Sequence, residues 1–236
     1  MKTDKFTLVA CWDGGSYYDP IYIGNLYRSV KRNTTIPFDF VLYTGPLVKS
    51  REAEVSRQVR GPFCIVETNL PYWWSGMHAW EKNPICVNTD TVLYMDLDQV
   101  IVGNLDDIIN YDSNHCYMKD YPSYCCPTGK ENDGNATVSL IRNGAGHHVW
   151  DEYVKAGKPI WSPLKPPAKR LFPLAAQGIM NKSSVPHDVF PESWITSYKL
   201  WVIANGLPKD CKSVSFHGKP KPHDCLHVPF VRENWK

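Results

Sequence analysis

A chain of 236 residues, 43% hydrophobic and 13% aromatic, can bury the core of one large domain or two small ones. Its 26 Lys and Arg against 24 Asp and Glu leave a formal charge of +2 with no block of five like charges, so it lacks the electrostatic footprint that holds duplex nucleic acid by its phosphates. The longest apolar runs fall far short of the roughly 20 residues that span a bilayer, and no membrane span is expected.

Phe6 to Trp12 is stopped by Asp13-Gly14-Gly15 with no small-x-small cleavage site, so it reads as a first strand and not as a signal core. Ile21, Leu26 and Val30 then fall at helical spacing after Pro20, and Phe38 to Tyr43 is the next strand. Phe63 to Val66, a short helix over Trp73 to Trp80, and a β-rich run from Thr91 to Met95 follow. This alternation predicts an α/β domain with a mostly parallel central sheet flanked by helices. Asp106 to Asn110 reads as a helical turn, Cys116 to Lys119 and Ala136 to Ile141 as strands, and His147 to Lys155 as a helix. The prolines at 159, 163, 166, 167 and 173 mark a long irregular stretch of the kind that often carries function. From Lys212 to Lys236 the pattern is a strand running into an ordered, irregular end.

Eight cysteines are scattered through a chain long enough to fold without covalent staples, and with no secretion signal they are expected as free thiols in a cytoplasmic protein. The adjacent Cys125 and Cys126 are too close for ordinary disulfide geometry with each other.

The stretch richest in chemistry runs from Val92 to Asp106, with Asp96-Leu97-Asp98 at its centre. With 16 Asp in the chain, about one Asp-x-Asp is expected by chance, so the context has to supply the meaning. Two carboxylates at the end of a buried strand cost several kcal/mol to desolvate unless a cation offsets them. In an open α/β sheet the carboxyl end of a strand is also where ligands bind.

The apolar strand, Asp96-Leu97-Asp98, the second apolar run and Gly103-Asn104-Leu105-Asp106-Asp107 resemble the metal site of GT-A fold glycosyltransferases, in particular the glycogenin-like family 8 enzymes and their bacterial and viral relatives. The opening Leu8 to Asp13, the helix Tyr22 to Lys31 and the strand Phe38 to Thr44 are similar to that family's nucleotide-binding start. Val214 to His223 is similar to its C-terminal His-Gly and Lys-Pro signature. The resemblance implies a single domain over 1–236, with a nucleotide-binding half about 1–110 and an acceptor half about 111–236. It implies transfer of a sugar, with retention, from a nucleotide-diphosphate-sugar donor, expected to be a UDP-sugar, to a glycan or other hydroxyl acceptor.

By the same resemblance, Asp96, Asp98 and His217 would hold a divalent metal. Two oxygens and one imidazole suit Mn²⁺ better than Ca²⁺, with Mg²⁺ as the alternative. Lys221, assisted by Lys219, would place positive charge on the diphosphate. Asn135 and Gln177 would hydrogen-bond sugar hydroxyls, with Asp120 binding the sugar or balancing its developing charge. Asp13, Tyr17 and Tyr18 would hold the base, and the aromatic run Tyr72-Trp73-Trp74 and Trp161 are candidates for stacking on sugar rings. Two positions depart from the family pattern: Ala176 stands where an Asp is usual, and Gly76 where a Lys is. The first weakens a double displacement through an enzyme nucleophile, leaving same-face attack with a phosphate oxygen of the leaving group accepting the proton.

Three other readings compete. A haloacid-dehalogenase-type phosphatase also places Asp-x-Asp after an apolar strand, but normally the first strand of the chain. A structural zinc site could be sought among Cys211, His217, His223, Cys225 and His227, whose spacing matches no usual zinc pattern. A nucleotide-sugar binder with weak or lost catalysis would account for Ala176 and Gly76.

Overall fold

The computed structural model describes residues 2–15, 17–46, 49–70, 72–120, 133–158, 176–182 and 186–236. Cys125 and Cys126, Trp161 and the proline-rich stretch from 159 to 173 lie outside the described residues.

The first strand, β1 (Phe6–Trp12), is buried along its whole length because both faces are covered. Phe6, Leu8, Ala10 and Trp12 point to one side of the sheet, and Val9 and Cys11 to the other, so the period-2 alternation feeds two separate cores. Helix α1 (Ile21–Arg32) lays Ile23, Leu26, Tyr27 and Val30 against the first core and ends on Lys31 and Arg32, whose charges suit the negative end of the helix. The chain then forms β2 (Phe38–Thr44), α2 (Lys49–Gln58) and β3 (Phe63–Glu67). Polar α2 went unread in the sequence because it lacks an apolar stripe.

The segment Tyr72–Trp80 is helical as expected, but wound as a 3-10 helix, and it packs Trp74, Met77 and Trp80 into the second core. Strands β4 (Thr91–Met95) and β5 (Gln99–Ile101) flank the Asp-x-Asp segment, followed by the single turn α3 (Asp106–Ile109). Strands β6 (His115–Lys119) and β7 (Gly134–Arg142) precede α4 (His147–Lys155) and α5 (Ala176–Lys182). The short strands β8 (Asp188–Val189), β9 (Ile195–Ser197) and β10 (Ser213–Ser215) complete the sheets. The C-terminal end is more regular than its sequence suggests, because Pro229 starts a helix over Pro229–Asn234. Ser29 and Arg32 of α1 tie that helix down by donating to the Asn234 carbonyl.

The large sheet has the order β3-β2-β1-β4-β7-β6-β8 and the small one β5-β10-β9. Neighbouring strands run parallel at β3-β2, β2-β1, β1-β4 and β6-β8, and antiparallel at β4-β7 and β7-β6. The sheet is therefore mostly parallel, with β7 as the reversed strand. Among the described residues no helix is long and apolar enough to cross a membrane.

Candidate functional site

The topology brings distant pieces of sequence to one place. Strands β1 and β4 are parallel neighbours, so the Asp13–Tyr18 loop after β1 and the Asp96–Asp98 segment after β4 leave the sheet at the same edge. Strand β10 pairs antiparallel with β5 in a register that sets Ser215 opposite Gln99, so continuing both chains brings His217 abreast of Leu97. Strand β7 pairs antiparallel with β4, Met95 facing Val138, and the Asp96 amide donates to the Thr137 carbonyl at 2.9 Å. Asp96-Leu97-Asp98 is thus the hinge between the two sheets. Buried Leu97 anchors it while the carboxylates face a cavity of about 740 Å³.

That cavity is lined by Asp13, Tyr17, Asp96, Asp98, Asn135, Gln177, His217, Lys219 and Lys221, nine of the residues singled out from sequence. Asp120 is buried just behind it. Its Oδ1 accepts from Asn135 Nδ2 at 3.2 Å and its Oδ2 from Gln177 Nε2 at 2.8 Å, so one carboxylate orients two amide side chains. Asn181 fixes α5 against the start of β7 by bonding both the N–H and the carbonyl of Gly134, each at 3.0 Å. That anchor holds Gln177 in place on a helix too short to be stable alone.

The two central carboxylates are held differently. Asp98 Oδ2 accepts from Lys221 Nζ at 2.5 Å and from the Tyr18 hydroxyl at 2.9 Å. The Lys221 ammonium also bonds the Tyr18 oxygen at 2.9 Å and lies 4.9 Å from the centre of that ring. Asp96 instead accepts neutral hydrogen bonds, from Thr137 Oγ1 at 2.5 Å and the Tyr94 hydroxyl at 3.1 Å. Burial, and next the charge on Asp98, push the Asp96 carboxyl up to about 6. Burial, followed by the charge on Asp98, likewise holds the Tyr18 phenol far above its ordinary range. His217 contacts Ser197 Oγ through Nε2 at 2.5 Å, and burial, with Lys199 next, lowers it to about 4.

Two carboxylates repelling each other beside a neutral imidazole form a donor set whose chemistry fits a hard divalent cation. Asp98 takes its countercharge from Lys221. Among the described residues no group of three or more His, Cys, Asp or Glu is drawn together into a ready-made metal cage. This holds for Asp96, Asp98 and His217 as for the C-terminal Cys and His residues of the zinc reading. Cys211 Sγ is turned to the Ser213 carbonyl, and His223 Nδ1 to the Tyr22 hydroxyl.

The first loop has its own economy. Asp13 accepts from the backbone N–H groups of Gly15 at 3.2 Å and Tyr17 at 2.5 Å, so much of its hydrogen-bonding capacity shapes its own turn. Trp12 Nε1 donates to the Tyr18 carbonyl at 2.7 Å and anchors the loop's far end. Tyr17 stays exposed, its ring edge-on to Trp73 at 6.3 Å.

Several lining residues escaped the sequence reading. Thr137 and Tyr94 have no role of their own in the sequence motifs: Thr137 meets Asp96 through the pairing of β7 with β4, and Tyr94 through its place on β4, two residues earlier. Cys11 joins them, its Sγ 3.2 Å from the Tyr94 hydroxyl, with burial raising the thiol to about 12. Gly76 has a steric reason for its identity. A Cβ there would stand 2.9 Å from the Tyr94 oxygen and 3.1 Å from Cys11 Sγ, so no lysine fits at this position without displacing the group that holds Asp96.

No protein-family model and no curated protein sequence matches the chain. Solved structures do. Galactosyltransferase LgtC in complex with donor and acceptor sugar analogues matches with a TM-score of 0.66 at 14% identity, covering 98% of this chain and 96% of that one. A glycosyltransferase involved in glycosylation of the major capsid of PBCV-1 matches at 0.53 and 12% identity, over 95% and 98%. Mouse xyloside xylosyltransferase 1 matches at 0.54 and 11% identity, over 91% and 98%. With its mostly parallel sheet, its second small sheet and the Asp-x-Asp hinge between them, the chain has the fold of the GT-A glycosyltransferases.

Proposed function

We propose that the protein is a glycosyltransferase that takes a sugar from a nucleotide-diphosphate donor, with UDP as the expected nucleotide, and passes it to a hydroxyl of a glycan or other acceptor. The observation that carries this reading is one cavity that gathers Asp96, Asp98, His217 and Lys221 at one side and the Asp120-held amides of Asn135 and Gln177 at another. The first group suits a diphosphate and the second a polyhydroxylated ring. The similarity of the fold to a galactosyltransferase solved with donor and acceptor analogues agrees with this.

Asp96, Asp98 and His217 would hold Mn²⁺, or Mg²⁺ in its place. When bound, the ion supplies Lewis acidity to the diphosphate oxygens that gather charge as the sugar bond breaks. The chain's own groups do the rest. Lys221 is already beside Asp98 in the cavity and would share its charge with a phosphate there, with Lys219 also lining the cavity. Asn135 and Gln177 position the sugar, and Asp120 keeps both amides from rotating. Tyr17 and Trp73 offer an aromatic edge at the mouth for the base or an acceptor ring. No side chain in this reading attacks the sugar. The acceptor hydroxyl approaches from the leaving-group face and gives its proton to a phosphate oxygen, which retains the configuration.

A second reading, a nucleotide-sugar binder with little turnover, draws on Gly76, whose close contacts leave no space for a further phosphate-binding lysine. The phosphatase reading has lost its ground, because the Asp-x-Asp follows β4 and not the first strand. The test is release of nucleoside diphosphate from a panel of nucleotide sugars with Mn²⁺, with Asp96→Asn as control. Release by the wild type alone supports the transferase. Saturable binding without release supports the binder, and neither binding nor release overturns both.

A further inference from the structure

Away from the cleft, two cysteines from different parts of the chain meet at the protein surface. Cys64 lies on β3, an edge strand of the large sheet, half-buried against the second core. Cys86 lies in the Glu81–Asp90 loop, exposed, with a backbone φ of 64°. Their sulfurs are 2.6 Å apart, closer than two unbonded thiols settle, across 22 positions of sequence. The loop is held to the sheet there by a hydrogen bond from the Tyr43 hydroxyl to the Ile85 carbonyl at 2.8 Å, next to Cys86 in the chain.

We propose that Cys64 and Cys86 form a reversible disulfide that pins the Glu81–Asp90 loop to the edge of the sheet, and through it steadies the helix that walls the cleft. That loop directly follows the 3-10 helix Tyr72–Trp80, whose Trp73, Gly76, Met77 and Trp80 line the cavity. This inference is independent of what the cleft binds. The oxidant is a small-molecule disulfide such as glutathione disulfide. The accessible Cys86, as thiolate, attacks one glutathione sulfur, forming a mixed disulfide and expelling a glutathione thiolate. Cys64, having lost its proton, attacks the Cys86 sulfur, closing the protein disulfide and expelling the second glutathione. The two protein thiols lose two electrons, glutathione disulfide gains them, and the two thiol protons end on the two glutathione thiols. Burial and the neighbouring Cys86 raise the Cys64 thiol to about 11, which keeps it from making the first attack on the oxidant.

The other cysteines with described contacts are placed differently. Cys11, Cys116, Cys211 and Cys225 are buried, and Cys211 and Cys116 turn their sulfurs to backbone carbonyls.

The experiment equilibrates the purified wild-type chain across a series of glutathione to glutathione-disulfide ratios, traps free thiols by alkylation and maps the peptides by mass spectrometry. The expected result is a Cys64–Cys86 cross-linked peptide that appears at oxidising ratios and disappears on reduction. Closing a loop of this size should raise the unfolding midpoint by about 5 to 10 °C. Hydrogen exchange should slow in Glu81–Asp90 and Tyr72–Trp80 on oxidation, and Cys86→Ser should lose both effects. Alkylation of both cysteines at every ratio, or cross-links joining either to another cysteine, overturns the assignment. A Cys64–Cys86 cross-link with unchanged exchange in both segments overturns the pinning.

Discussion

His115 makes the wall of the cleft sensitive to acid. The indole N–H of Trp80 can only donate, and it bonds the Tyr117 oxygen at 3.0 Å. The Tyr117 hydroxyl also contacts His115 Nε2, and it donates there when the ring is neutral with that nitrogen bare. Protonating His115 turns that nitrogen into a donor and breaks the relay, and His115 Nδ1 has no hydrogen-bond partner among the described residues. Burial, with the neighbouring His148 and His187 adding repulsion, lowers the His115 ring from 6.5 to about 3. In the unfolded chain it protonates near 6.5, so below that pH the unfolded state takes up a proton that the native state refuses. The stability is present in full above pH 6.5 and is lost progressively as pH falls toward 3.

At pH 5 the gap of about 1.5 units corresponds to about 2 kcal/mol, or roughly 4 to 8 °C in midpoint for a chain of this size. His115→Gln keeps a polar side chain at the site and removes the titration. Urea unfolding of both proteins from pH 7.5 to 4.5 should show the wild type losing stability faster by up to about 1.4 kcal/mol per pH unit below 6. Parallel curves would refute the argument, since they would mean that the ring charges equally readily folded and unfolded.

Gly76→Ala should cost about 1 to 3 kcal/mol by overpacking against Tyr94 and Cys11, read from thermal unfolding, and Gly76→Lys should not raise turnover; a gain of activity with lysine would contradict the steric account. Asp120→Ala leaves the amides of Asn135 and Gln177 without their shared acceptor, and should cost about 2 to 4 kcal/mol. In calorimetry it should weaken a nucleotide sugar more than the free nucleoside diphosphate, whereas equal losses would remove the amide pair from the sugar site. Lys221→Met should weaken diphosphate binding more than monophosphate binding, and equal weakening would take Lys221 off the phosphates.

The sequence was legible where side-chain periodicity and burial coincide. Alternating apolar residues in β1 and β4 and the stripe of α1 identify those elements because each meets a core on a fixed face. Helix α2 and the short strands β8 and β9 were not legible. The first has no apolar stripe, and the others are too short to show a period, taking their shape from neighbouring strands. The same division runs through the cleft. Asp96 and Asp98 stood out because two carboxylates are costly at the end of a buried strand, and His217 only through the resemblance of Val214 to His223 to a known signature; the register of β5 with β10 explains their meeting. Thr137, Tyr94 and Cys11 are ordinary core residues in sequence. The antiparallel pairing of β7 with β4 brings Thr137 to Asp96, the parallel pairing of β1 with β4 brings Cys11 to Tyr94, and Tyr94 precedes Asp96 by two residues, on the same face. Asp120 was expected to bind the sugar or balance its developing charge, and the structure adds that its carboxylate accepts from the two amides beside it.

The central claim is a metal-assisted diphosphate site at the Asp-x-Asp hinge, and calorimetric titration with UDP, GDP and CDP, with Mn²⁺ or with chelator, tests it most directly. The account predicts that one diphosphate, expected to be UDP, binds at least about tenfold more tightly with Mn²⁺, a difference of about 1.4 kcal/mol, and that Asp98→Asn, folded by circular dichroism, loses this gain. Equal binding with Mn²⁺ and chelator, the same affinity in wild type and Asp98→Asn, or no binding of any diphosphate would contradict it.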